Sequence, residues 1–175
     1  MFKSVVAFLA LAVISTAHAS YHVASYNTDN LDPNRPTRVM VVGNGDDLGL
    51  LFEEVAKAKA VKYTENYPQD QIALIAINEK EMGSEWNLKR YGFKIERNDS
   101  STLDGKEFIK EVSKFKKILS LDIFSHSSAQ FGIHLDGRAN RLNITTKGLE
   151  ALKPNFMKDA FAYLHGCNSG FNLAP

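Results

Sequence analysis

One thiol and two imidazoles carry most of the chemistry this sequence offers. Cys167 is the only cysteine, and it sits in Leu164-His165-Gly166-Cys167-Asn168-Ser169-Gly170, directly after the apolar run Ala160-Phe161-Ala162-Tyr163-Leu164. An apolar run that stops at a glycine-flanked cysteine reads as a strand presenting one thiol at its end. A second apolar run, Ile118-Leu119-Ser120-Leu121-Asp122-Ile123-Phe124, stops at Ser125-His126-Ser127-Ser128. In an open α/β sheet, functional groups gather beyond the carboxyl ends of the strands. If these two strands are parallel neighbours, His126 and Cys167 share one sheet edge. A cysteine nucleophile needs a thiolate and a proton donor for the leaving group, and a histidine serves both needs. His165, two residues before the thiol, is the competing base; His126 is preferred. Cysteine also behaves as a small buried hydrophobe, so a core position for Cys167 is the alternative. No C-x-x-C or H-x-x-x-H spacing accompanies these residues, and neither a metal nor a cofactor is expected.

The elements that must position this pair read as an α/β chain. Thr37-Arg38-Val39-Met40-Val41-Val42 is a short β-branched run closed by Gly43-Asn44-Gly45-Asp46-Asp47, a strand and a tight turn. Asp46 or Asp47 can cap the next helix, in which Leu48, Leu51, Phe52, Val55, Ala56 and Lys59 recur at helical spacing as far as Tyr67-Pro68. Gln71 to Ile77 is a second apolar strand, which makes a βαβ unit and a parallel sheet buried on both faces. Trp86 and Tyr91 are expected packing anchors, and Phe93 to Glu96 a third strand. Phe108, Ile109, Val112 and Phe115 mark a second helix ahead of the strand at 118–124. Phe131 to Leu135 and Arg141 to Ile144 flank the turn signal Asp136-Gly137, Thr145 to Leu152 is a short helix, and Lys158 to Leu164 is the last strand. Gly43 to Gly49 is one residue off a dinucleotide fingerprint, and two carboxylates at the helix start would repel a pyrophosphate, so nucleotide binding there is disfavoured.

Lys3, the apolar run Val5 to Ile14 and Ala17-His18-Ala19 form a signal-peptide pattern over residues 1–19. The run is too short to span a bilayer comfortably. A secreted or periplasmic protein, free of the membrane after cleavage, is therefore expected. Residues 20–36 read as an extended lead-in and 37–175 as one domain. A formal net charge of +1 gives no electrostatic case for nucleic acid. One cysteine cannot close an internal disulfide, so in an exported chain it is an intermolecular partner or a free thiol.

The run from Ile123 through Ser125-His126-Ser127 to Ile133 resembles the caspase pattern of apolar strand, Ser-His-Gly, short loop and hairpin. Leu164 to Gly170 resembles that fold's strand followed by Ala-Cys-x-x-Gly, and Cys167-Asn168-Ser169-Gly170 is similar to the Cys-His-Ser-Gly of metacaspases. Caspases place the histidine about 50 residues before the cysteine, near the separation here. The resemblance covers roughly Arg38 to Gly170. It implies a three-layer caspase-like domain with a mostly parallel sheet flanked by helices, truncated at the C-terminus because the family's later strands would lie beyond Pro175. It also implies a cysteine endopeptidase acting on protein or peptide substrates, or its truncated remnant. Cys167 would be the nucleophile, His126 the acid and base, and the backbone N–H groups of Cys167 and Ser127 the oxyanion donors. Asp46, Asp47 and His165 are substrate-pocket candidates. Ser127 stands where the family has glycine, and His165 where metacaspases carry aspartate, so neither an acidic nor a basic side-chain preference carries over. The alternative is a non-catalytic binding module completed by a partner chain that supplies the later strands.

Overall fold

The computed structural model describes residues 21–43, 49–77, 87–98, 105–128, 132–136, 140–142 and 150–166. The signal-peptide segment, Asp46, Asp47, Trp86, most of the expected helix at 145–152, and Cys167 lie outside the described residues. The chain forms strands β1 (Tyr21–Tyr26), β2 (Thr37–Val42), β3 (Gln71–Ile77), β4 (Lys94–Asn98), β5 (Ile118–Phe124), β6 (Ser127–Ser128), β7 (Gly132–Asp136), β8 (Asn140–Leu142) and β9 (Phe156–His165). Helix α1 spans Gly49–Asn66 and α2 spans Gly105–Ser113.

Six strands make one mixed sheet in the order β4-β1-β3-β2-β5-β9. Strands β3, β2, β5 and β9 run parallel, each to its neighbour. Strand β1 is antiparallel to both β3 and β4. The central strands are mostly apolar because both faces are covered, and all six residues of β2 are buried. Alternate residues feed two cores. Met40, Val42, Leu74 and Phe124 pack with Ala56 and Ala60 of α1. Val39, Val41, Leu121 and Ile123 pack with Phe108 and Val112 of α2, joined by Ile133 and Leu135 of β7. Helices on opposite faces of one sheet make a three-layer α/β arrangement.

Three details depart from the sequence reading. Within the expected extended lead-in, Tyr21–Tyr26 takes a place inside the sheet, with Tyr21 and Ala24 buried, and residues 27–36 include turns. Of the residues expected on the inner face of α1, Ala56 is buried and Phe52 packs beside it, but Leu51 and Val55 are exposed and Ala60 makes the next contact; the small alanines let the helix lie close on the strands. Tyr91 is on the surface, and the buried anchors of that segment are Leu88 and Phe93. The hairpin stands as expected, with β7 pairing β8 antiparallel and β6 added on the other side of β7. No described helix is long and apolar enough to cross a membrane.

Candidate active site at the ends of β5 and β9

Strands β5 and β9 are parallel neighbours, and their register runs to Phe124 opposite His165. Both strand ends therefore reach the same edge of the sheet. The chain leaves β5 as Ser125-His126-Ser127 and leaves β9 as Gly166, the residue before Cys167. The backbone N–H of Ser125 donates to the carbonyl of His165 at 3.4 Å, which carries the pairing one step past β5. Gly166 then packs against the β5 exit. A Cβ at this position would stand 2.5 Å from the Ser125 carbonyl oxygen and 2.7 Å from Ser127 Oγ. Only a residue without a side chain permits that approach.

The His126 imidazole is half-buried, and its ring meets Phe52 of α1 edge to face, centroids 5.2 Å apart at 82°. Ser127 is buried at the start of β6. The described part of the site thus brings together His126, Ser127, His165 and Gly166. Of the remaining sequence-derived candidates, Cys167, Asp46 and Asp47 are outside the described residues, although Gly43, the last described residue before the two aspartates, donates its N–H to the Phe124 carbonyl at 2.8 Å.

The structure adds a group that sequence reasoning passed over. Asp122, one pleat before Phe124, is fully buried on the α1 face of the sheet. Three side chains converge on its carboxylate: Lys59 Nζ at 2.5 Å, Tyr63 Oη at 3.0 Å and His165 Nε2 at 3.1 Å. Lys59 and Tyr63 stand one turn apart on α1, so both reach the same point. His165 is further held by stacking on Phe124, centroids 4.3 Å apart and rings within 6° of parallel. The Lys59 ammonium also lies within 6 Å of the Tyr63, Phe124 and Tyr163 rings. Burial by itself would lower the lysine's proton affinity, but the hydrogen bond and charge of Asp122 outweigh it and hold Lys59 above its ordinary value. Burial pushes the Tyr63 phenol up, and the adjacent carboxylate adds to the rise. One signal for this cluster was in the sequence: a carboxylate in the middle of an otherwise apolar strand must find partners.

Comparison with protein-family models, with curated proteins and with solved structures finds no match to this chain.

Proposed function

We propose that the chain is an exported cysteine endopeptidase of the caspase-like type, working through Cys167 and His126. The observation that carries this reading is the in-register parallel pairing of β5 with β9, with the Gly166 backbone packed on Ser125 and Ser127. It brings the residue before the thiol against the two neighbours of His126. In the proposed reaction Cys167 Sγ attacks the scissile carbonyl carbon. His126 gives its proton to the leaving amine as the C–N bond breaks, then takes one from the water that hydrolyses the thioester. The backbone N–H groups of Cys167 and Ser127 hold the oxyanion. His165, fixed by Asp122 and Phe124, and Asp46 and Asp47, which follow β2 in the sequence, are the proposed substrate-pocket residues. Iodoacetamide labelling of Cys167 and hydrolysis of a mixed-peptide library test the reading. His126→Ala should slow the first and abolish the second. Labelling at the rate of a free cysteine, unchanged by His126→Ala, would overturn it.

The second reading is a binding module of the same fold. The outer edge of β9, unpaired among the described residues, favours it, since a sheet edge accepts a further strand. A folded protein with an inert thiol and no hydrolysis of any peptide would select this reading.

A further inference from the structure

The signal-peptide pattern ends at Ala17-His18-Ala19, which puts the bond to be cut between Ala19 and Ser20. The sheet begins at the very next residue. Strand β1 opens at Tyr21 and is an inner strand, lying between β3 and β4. Its first residue already has a partner on each side, Ile77 of β3 and Asn98 of β4. Tyr21 is 1% exposed and shares the α2-side core with Val39, Val41 and Phe108. Its phenol donates to Oε1 of Glu111, a buried residue of α2, at 2.9 Å.

A peptidase that cuts the Ala19–Ser20 bond has to take the residues on both sides of it as an extended segment. Their peptide groups and side chains must be free to enter its cleft. Tyr21 is the second residue beyond that bond. In the folded sheet both of its edges are taken and its ring is inside the core, so it cannot lie in an inner strand and in a peptidase cleft at once.

Proteolysis of a folded chain proceeds through openings of the structure, at a rate set by how rarely they occur. The smallest opening that serves here, release of Tyr21 alone, takes a whole aromatic side chain out of the core and parts its phenol from Glu111. A larger opening costs more. Among the described residues β4 has no sheet neighbour except β1, and Ala24 of β1 packs in the α1-side core with Leu74 and Phe93.

On the signal-peptide reading of residues 1–19, and independently of any chemistry at Cys167, we infer that the sheet and the signal peptidase compete for Tyr21. Residues 1–19 are removed before β1 docks, and a precursor that has already folded keeps them. A chain that folds first stays joined to its apolar segment, Val5 to Ile14. The order of cutting and folding therefore decides whether the protein is released.

A signal peptidase in detergent micelles tests this on two refolded precursors, each shown by far-UV circular dichroism to be folded. One is the full chain. The other carries a Gly-Ser spacer of about eight residues between Ser20 and Tyr21, which moves the bond up to about 26 Å from the sheet and leaves every sheet residue unchanged. The spacer variant should be cut readily, and the full chain about a hundredfold more slowly, the factor expected for exposing one buried aromatic and its hydrogen bond. Tyr21→Ala in the full chain should recover part of the rate. Equal rates for the first two proteins overturn the inference alone, whereas a spacer variant that is never cut overturns the signal-peptide reading and the inference with it. If the precursor does not fold with its apolar segment attached, hydrogen exchange on the mature chain decides. The amides of β1 should exchange as slowly as those of β3, and exchange at the rate of a frayed end overturns the inference.

Discussion

Replacing Lys59 by methionine and Asp122 by asparagine disturbs one ion pair from its two ends, and the two ends are not equivalent. The Asp122 side chain has no exposure, whereas that of Lys59 is 26% exposed. In Lys59→Met the carboxylate stays buried with only Tyr63 and His165 to offset its charge. Breaking a buried pair in this way costs about 3–5 kcal/mol when the remaining charge has no other partner. The two surviving hydrogen bonds reduce that to about 2–3 kcal/mol. In Asp122→Asn the amide oxygen still accepts hydrogen bonds, and the freed ammonium can turn to water along its flexible stem, so the cost is about 1 kcal/mol. Urea unfolding at neutral pH, followed by circular dichroism, measures both. Lys59→Met should also lower Tm by about 4–12 °C, given about 2–4 °C per kcal/mol for a chain of this size. Equal costs for the two substitutions, or a larger cost for Asp122→Asn, would refute the view that Asp122 is the trapped member of the pair.

Other expectations follow from the same geometry. Gly166→Ala forces a methyl group into the backbone oxygen of Ser125 and should destabilise the protein by about 1–3 kcal/mol in urea unfolding; a neutral effect would mean that the ends of β5 and β9 are not in contact. The raised Lys59 and Tyr63 groups hold their protons more tightly folded than unfolded, so the stability they contribute is complete below the unfolded values near pH 10 and is lost as pH rises through the folded ones. Wild type should therefore lose stability above about pH 10 more steeply than a Lys59→Met/Tyr63→Phe double variant, as read by urea midpoints across that range.

The sheet was largely legible because its central strands are buried on both faces and so appear as apolar runs: Val39 to Val42 and Ile72 to Ile77 without a break, and Ile118 to Phe124 broken only by Ser120 and Asp122. Strand β1 was not, because Tyr21-His22-Val23-Ala24-Ser25-Tyr26 mixes polar and apolar residues and buries only two of them; its place is fixed by β3 and β4, far along the chain. The α1 face was legible in part: Phe52 and Ala56 pack as their spacing suggested, whereas Leu51 and Val55 obey the helical period equally well and are exposed, because the closeness of the sheet selects the small Ala56 and Ala60. The juxtaposition of the two strand ends was readable as a condition, since it needed only that β5 and β9 be parallel neighbours. The Asp122 cluster was visible only in half. The carboxylate stands out within its strand, but Lys59 and Tyr63 lie 63 and 59 positions away, and no local spacing joins them to it.

A shared site for His126 and Cys167 is tested most directly by the rate of Cys167 alkylation as a function of pH, in wild type and in His126→Ala. If the imidazole serves the thiol, wild type reacts readily well below the ordinary cysteine pKa of about 8.5, and His126→Ala reacts at least tenfold more slowly at neutral pH. A wild-type rate that rises only near pH 8.5, superimposable on that of His126→Ala, would contradict it.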